Sequence, residues 1–377
     1  MPLSVLIAGG GTGGHLYPGI AVAREIAARV PDAQVAFVGT AAGLEARVIP
    51  REGFPLDVIR SAGLKGKAIG PLIRGLGLLP LSAVDAWNVV TQRRPAVVIG
   101  VGGYSSGPVV LIAALRGIPT LLIEQNAMPG LTNRLLARVV DAAAVTYQES
   151  ARFFGNKAFV SGNPVRPEFF QNEGAHGHYG DESSRGRDGD SAVSPSRTAR
   201  VLVFGGSQGA HAINVAMVEA APRLAAEPRV AITHQTGERD LEVVRDSYRR
   251  AGLEARVEPF LFAMDREMKG ADLVVCRAGA TTIAELTAAG RAAILVPLPT
   301  ATDDHQRKNA LALVRQGAAH MLDQRELSGD RLAAEIVAFA ENADERRQVG
   351  EAARRLARPD AARVIVDRVL ALAGDAT

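Results

Sequence analysis

The sequence predicts an α/β protein of two doubly wound domains, each built on a parallel sheet. Three observations carry this. The chain has 377 residues, roughly two and a half typical domain lengths. Apolar runs of strand length alternate with helix-length segments, and short continuous runs of this kind suit parallel strands buried on both faces. After a polar break near the middle, the same rhythm starts again.

The first strand is expected over residues 4–8, where MPLSVLIAGGG lacks a basic flank and runs straight into a glycine loop, unlike a secretory signal. Further strands are expected at 34–38, 96–101, 120–123 and 142–146. Ahead of the third of these five, Ile69, Leu72, Ile73, Leu76 and Leu79 fall near one helical face beside Lys65, Lys67 and Arg74. Such a segment is either a core-facing helix or one that lies on a membrane surface. Gly70, Pro71, Gly75, Gly77 and Pro80 make it a poor regular helix in both cases. Residues 95–115 carry no charge and are long enough to span a bilayer. Their Gly100, Gly102, Gly103, Ser105, Ser106, Gly107 and Pro108 instead break them into strand, loop and helix start. Residues 171–200 hold no Leu, Ile, Phe, Met or Trp, too little apolar surface to order a segment, so a flexible insertion is expected there. Asp188 and Asp190 belong to that tract and not to a metal motif. The second set of strands is expected at 200–204, 230–234, 255–258, 272–276, 293–297 and 319–322.

Composition excludes several classes. With 47% hydrophobic and 22% charged residues, neither wholesale disorder nor a polytopic membrane protein fits. One cysteine, Cys276, rules out an intramolecular disulfide framework and a cysteine cluster for zinc or iron–sulfur, which suits a reducing compartment. The net charge of +3 hides an asymmetry: residues 1–165 carry 15 Lys and Arg against 9 Asp and Glu, the remainder 28 against 31. A basic first half suits phosphorylated ligands, an anionic membrane or nucleic acid. Aromatics are 5% and none interleave a basic stripe, so nucleic acid is not an expected partner.

Gly9-Gly10-Gly11-Thr12-Gly13-Gly14-His15 follows the first strand, with Pro18 where a helix opens. Glycines let backbone amides approach an anion and the helix N-terminus adds a favourable dipole, so a phosphate or diphosphate is the natural guest. The second strand ends Val38-Gly39-Thr40 without the acidic residue that would hold an adenosine ribose, which argues against NAD. There is no Gly-Lys-Ser/Thr either. Related loops recur as Gly102-Gly103-Tyr104-Ser105-Ser106-Gly107 and Gly205-Gly206-Ser207-Gln208-Gly209. Each alone is explained as a tight strand-to-helix turn; three at strand ends point to a cleft for more than one phosphorylated ligand. Arg277-Ala278-Gly279-Ala280-Thr281-Thr282 precedes a helix carrying Glu285. Its amides and hydroxyls suit a diphosphate, and Glu285, one turn in, suits ribose hydroxyls, the alternative being a solvated helix carboxylate.

With Glu124-Gln125-Asn126, Gly162-Asn163-Pro164-Val165-Arg166, Cys276-Arg277-Ala278-Gly279-Ala280 and Asp304-His305-Gln306 plus Asn309, these motifs run in order through about 320 residues. In them the chain resembles the MurG family, cytoplasmic enzymes of peptidoglycan synthesis. They transfer N-acetylglucosamine from UDP-N-acetylglucosamine to undecaprenyl-diphosphate-MurNAc-pentapeptide. The resemblance implies an inverting glycosyltransferase of the GT-B type, with two Rossmann-like domains facing across a cleft. It implies domains at 1–165 and 201–358, a linker at 166–200, and a final helix at 359–377 that returns to the first domain. It assigns Thr12, Gly13, Gly14, Asn126, Arg166, Ser207, Leu261, Ala280, Thr281, Thr282, Ile283, Ala284, Glu285 and Gln306 to the donor, Leu261 through its backbone on uracil. Gly11, Gly103, Tyr104, Ser105 and Ser106 are expected at the acceptor diphosphate. No tightly bound cofactor or metal is expected, UDP-N-acetylglucosamine being a substrate.

Inversion requires an acceptor hydroxyl to attack the anomeric carbon opposite the departing UDP, with a base receiving its proton. His15 is the candidate, either as that base or as a residue that positions the acceptor diphosphate. The lipid acceptor gives the Ile69, Leu72, Ile73, Leu76 and Leu79 face a purpose, peripheral docking on an anionic membrane. The expected location is the cytoplasmic face of the bacterial inner membrane, with other cell-wall enzymes as candidate partners. Two alternatives stay open: another UDP-sugar enzyme of this architecture, such as a glycolipid transferase or an epimerase, and a nucleotide-sugar-binding module without catalysis.

Overall fold

A computed structural model describes residues 2–61, 69–170, 198–206, 209–301 and 304–374, excepting the side chains of residues 69–77 and 79. The first half runs β1 (Ser4–Gly9), α1 (Gly13–Arg29), β2 (Gln34–Gly39), α2 (Glu45–Val48), β3 (Leu56–Val58), α3 (Ile69–Arg93), β4 (Val97–Gly102), α4 (Ser106–Leu115), β5 (Thr120–Glu124), α5 (Leu131–Leu136), β6 (Ala142–Val145), α6 (Gln148–Ala151) and β7 (Ala158–Val160). Its strands form one parallel sheet in the order β3-β2-β1-β4-β5-β6-β7. Alternate residues of β1 feed opposite faces: Val5 and Ile7 pack with α1, Leu6 and Ala8 with Ala86 and Val90 of α3 and with α4.

The second half repeats the plan with β8 (Ala199–Phe204), α7 (His211–Ala225), β9 (Val230–Gln235), α8 (Leu241–Ala251), β10 (Ala255–Glu258), α9 (Met264–Gly270), β11 (Leu273–Cys276), α10 (Ala280–Ala289), β12 (Ala292–Leu295), α11 (His305–Val314) and β13 (His320–Met321), then α12 (Gly329–Glu341), α13 (Ala343–Arg355) and α14 (Ala361–Gly374). Its parallel sheet has the order β10-β9-β8-β11-β12-β13. In each sheet the order reverses beside the first strand, between β1 and β4 and between β8 and β11. Loops at the carboxyl ends of these strands diverge there and leave a crevice. The last helix, α14, buries Ile365, Val366, Val369 and Leu372 in the core of the first sheet, beside α1.

The structure corrects several expectations. Strands β3 and β7 carry no sequence signal, being three-residue edge strands whose side chains stay half-buried or exposed. Strand β12 stops at Leu295, before Pro297, which has no N–H for a ladder. The segment expected to be a poor regular helix is the start of α3, which runs 25 residues through Pro80. Its second half holds it in place: Arg93 pairs with Asp57 at 2.7 Å, Asp85 with Arg60 at 2.6 Å, and Ser82 donates to the Arg60 carbonyl. Ile69, Leu72, Ile73, Leu76 and Leu79 fall within α3, but their side chains lie outside the described residues, as does the tract at 171–197. Residues 95–115 form β4, a loop and α4, and no described helix is long and apolar enough to cross a membrane.

Candidate active site

The two glycine loops of the first half are packed against each other. Gly10 N donates to the Gly102 carbonyl at 3.4 Å, and Gly103, at φ +84°, lies so close that a Cβ there would come within 2.5 Å of the Gly10 carbonyl oxygen. Only glycine meets both demands. Beneath them the buried Glu45 carboxylate accepts from Gly11 N at 2.7 Å and from Thr40 N at 2.8 Å. His15, in the first turn of α1, has its Nδ1 3.3 Å from Thr12 Oγ1 and its ring against Gly102. Burial holds its imidazole below the ordinary value, against the opposing pull of the Gly10 carbonyl and the Glu45 charge.

The linker after β7 delivers Arg166. Its guanidinium lies 4.5 Å from the Tyr17 ring and 5.1 Å from Phe169, with Nη2 3.7 Å from Glu285 Oε1. Its Nε is buried with no hydrogen-bond partner. Glu285 sits one turn into α10, and burial raises its pKa to about 7 despite Arg166. The N-terminus of α10 faces that of α1: Thr281 Oγ1 donates to the Gly14 carbonyl at 2.8 Å, and Asn163 Nδ2 lies 3.3 Å from the same hydroxyl. Two positive helix ends thus look into one space.

That space is a cavity of about 650 Å³, lined from both halves of the chain, a size suited to a nucleotide sugar. Of the residues expected at the donor it is lined by Thr12, Gly13, Gly14, Arg166, Leu261, Ala280, Thr281, Thr282, Glu285 and Gln306. Leu261 N donates to Gln235 Oε1 at 2.8 Å, so its backbone offers a base its carbonyl alone. Gln306 accepts from Leu298 N at 3.0 Å, which leaves its amide N–H groups for a ligand. Arg277 also lines the cavity, but its Nη1 donates to the Val296 and Pro297 carbonyls at 3.0 and 3.2 Å.

Other expected residues are placed elsewhere. Ile283 packs into the core under α10 with Ala284 against it. Asn126 lies in the loop after β5, where its N–H donates to the buried Glu124 at 2.9 Å. Ser105 and Ser106 are buried, and Tyr104 is exposed with its carbonyl accepting from Ser61 at 3.0 Å. Gly11, His15 and these acceptor-loop residues do not line the cavity. Ser207 lies outside the described residues. Among the described residues no three His, Cys, Asp or Glu side chains are grouped to hold a metal. The cavity also gathers Tyr17, His211, Gln235, Phe260, Met264 and Gln324, which the sequence reading missed. Tyr17 was within reach of it, two residues past His15 in the same turn, and Gln235 ends a strand on the crevice side.

Two family descriptions match the chain: the glycosyltransferase family 28 N-terminal domain over residues 5–145 and its C-terminal domain over residues 200–365. A UDP-N-acetylglucosamine–N-acetylmuramyl-(pentapeptide) pyrophosphoryl-undecaprenol N-acetylglucosamine transferase of Pelobacter propionicus is 50% identical, covering 98% of this chain and 99% of its own. One of the same description from Anaeromyxobacter sp. strain K is 48% identical, covering 97% and 92%. The crystal structure of Acinetobacter baumannii MurG is 30% identical with a TM-score of 0.70, over 98% and 99% of the two chains. A UDP-GlcNAc 2-epimerase from Neisseria meningitidis shares the fold, with a TM-score of 0.64 at 11% identity over 98% and 100%. Full-length identity to the transferases, against likeness in fold alone to the epimerase, places this chain in glycosyltransferase family 28 and, within it, in the MurG family of N-acetylglucosamine transferases.

Proposed function

We propose that the cleft transfers N-acetylglucosamine, with inversion, from UDP-N-acetylglucosamine to the 4-hydroxyl of MurNAc in undecaprenyl-diphosphate-MurNAc-pentapeptide, converting lipid I to lipid II. The observation that carries this reading is the convergence of the α10 N-terminus, Gly13, Gly14 and Arg166 on one cavity with Glu285 one turn inside it. Glu285 takes the ribose hydroxyls, the Leu261 carbonyl the uracil N3–H, and Gln306 the sugar. The α10 amides, those of Thr281 and Thr282 among them, and the Thr282 hydroxyl take the diphosphate, together with Ser207. As the C1–O bond to UDP breaks, negative charge grows on oxygens that face fixed helix dipoles, which stabilise it without reorganisation.

The first half, 1–165, takes the acceptor, whose diphosphate meets the backbone of Gly11, Gly103, Tyr104, Ser105 and Ser106; the second, 201–358, takes the donor. Of the two roles for His15, its place between the glycine loops and off the cavity supports positioning of the acceptor diphosphate over removal of the hydroxyl proton. The membrane side is α3 with α4. Beyond the Ile69 to Leu79 face, Leu81, Val84, Trp87, Leu111 and Leu115 are exposed, and Arg116 lies 4.9 Å from the Trp87 ring. Apolar side chains beside cations suit an anionic bilayer surface, on its cytoplasmic face where UDP-sugars are found.

The test is label transfer from UDP-N-acetylglucosamine to a short-chain analogue of the lipid acceptor, with UDP-glucose and acceptor-free reactions alongside. Transfer dependent on both substrates is expected. Sugar isomerisation without acceptor supports an epimerase instead, and UDP binding without turnover a binding module.

A further inference from the structure

The donor half of the cleft contains a chain of polar side chains that none of these roles uses. It begins in the core at His234, where burial pushes the imidazole down to about 3, so the ring is neutral and offers one donor and one acceptor. Its Nδ1 is 2.8 Å from Tyr248 Oη and its Nε2 is 3.1 Å from Asn214 Oδ1. Asn214 Nδ2 donates to the Thr236 carbonyl at 2.9 Å and to Asp240 Oδ2 at 2.8 Å. Asn214 Oδ1 therefore accepts from His234 Nε2–H, and Tyr248 O–H donates to Nδ1. In each of the three links from Tyr248 through His234 and Asn214, the bridging proton is directed toward Asp240.

Asp240 is 9% exposed. Burial alone would raise its pKa, but the His211 and Asn214 hydrogen bonds outweigh it and hold the carboxyl below the usual range. Its Oδ2 also accepts from His211 Nδ1 at 2.9 Å. That bond fixes the ring: Nδ1–H is committed to Asp240, and in the imidazolium Nε2–H is the donor left for an anionic ligand. The His211 side chain is 60% exposed, stands in the first turn of α7 and lines the cavity beside Gly205 and Gly206. Arg239 Nε, 3.9 Å from Asp240 Oδ1, is a second cation at this carboxylate, on a side chain that points largely into solvent.

We propose that His211, oriented by Asp240, is a further donor-site residue whose Nε2–H contacts the diphosphate of UDP-N-acetylglucosamine and of the departing UDP. This rests on the donor cleft described above and deepens it. An imidazolium backed by a carboxylate gives phosphate oxygens a charge-assisted donor, at the N-terminus of a helix that already favours an anion. A fully satisfied buried network is rigid, so it holds that donor in one place as a second row of support. Asp240 is a positioning residue, and Asn214, His234 and Tyr248 fix its orientation.

Calorimetric titration of the full chain with UDP and with uridine tests this, because uridine lacks the phosphates. His211→Ala is expected to weaken UDP binding by roughly tenfold or more while uridine stays within about twofold, the loss of one charge-assisted hydrogen bond. Its melting temperature is expected to fall by no more than about a few degrees, since the ring is exposed and Asn214 still holds the Asp240 carboxylate. Asp240→Asn is expected to weaken UDP in the same direction, and the double variant to bind no more weakly than His211→Ala. Unchanged UDP binding by His211→Ala, or equal loss of UDP and uridine, overturns the assignment. Wild-type protein that binds neither probe overturns the donor cleft and the assignment with it. Should Asp240→Asn fail to fold, the split between UDP and uridine in His211→Ala still decides.

Discussion

Glu285 has an ordinary carboxyl pKa near 4.5 in the unfolded chain and one of about 7 in the folded protein, because burial penalises its charged form. Between those values the folded state keeps a proton that the unfolded state has lost, so the stability this group contributes falls as pH rises through that window and is constant above it. Glu285→Gln cannot titrate. The stability of the variant relative to wild type should therefore rise by up to about 3 kcal/mol between pH 4.5 and 7, read from denaturation curves; parallel pH profiles would contradict the shift. The same variant should bind UDP-N-acetylglucosamine more weakly, since its side chain offers one acceptor oxygen to the two vicinal ribose hydroxyls where the carboxylate offers two. At His15 a positioning role and a base role separate by rescue. His15→Ala should lower kcat/KM for the acceptor by about a hundredfold and leave KM for the donor within about twofold. His15→Gln, able to hydrogen-bond but not to take a proton, should recover much of that loss. Equal inactivity of both variants would mark His15 as the base.

At the scale of elements, α3 and α4 form a surface whose residues were partly legible. The sequence marked the start of α3 as amphipathic, whereas the exposed side chains the structure describes are further along, at Leu81, Val84 and Trp87, and on the neighbouring helix at Leu111 and Leu115. Periodicity gives a helix its faces but does not say which face a second helix will cover. Trp87→Glu with Leu115→Glu should cut binding to anionic vesicles by roughly tenfold or more and leave UDP binding unchanged, as measured by co-sedimentation. Unchanged sedimentation would remove this surface from membrane contact. The strands show the same division. Those with four or more continuous apolar residues are legible to within a few residues, while β3 and β7 give no signal because three residues with half-buried or exposed side chains leave no apolar run.

Over the whole molecule, described contacts between the two halves lie both at the cavity and beside it. Besides Thr281 with Gly14 and Arg166 with Tyr17, Arg47 and Arg51 from the first half lie over the Phe260 and Phe262 rings of the second, at 5.7 and 4.6 Å. Arg24 binds Glu168 in the linker. The chain then crosses back, and α14 completes the first core. Ending the chain after residue 358 should remove Ile365, Val366, Val369 and Leu372 from that core and destabilise the first half by on the order of 5 kcal/mol, seen as an earlier separate transition on heating. A single unaltered transition would show that α14 is dispensable.

Local sequence is enough to specify the two α/β halves, the glycine loops at their strand ends and the helix that carries Glu285. Each of these is written in local terms: apolar runs of strand length, backbone conformations that glycine favours, and the spacing of one helical turn. How those pieces use one another is settled by the packing of the two sheets. Leu261 has its amide committed to Gln235, Arg277 is bound to backbone carbonyls, Ser105 and Ser106 turn inward, and Tyr17 and His211 enter the cavity. A side chain's partner is set by which loops the sheets bring side by side, a long-range property that no local pattern of residues encodes.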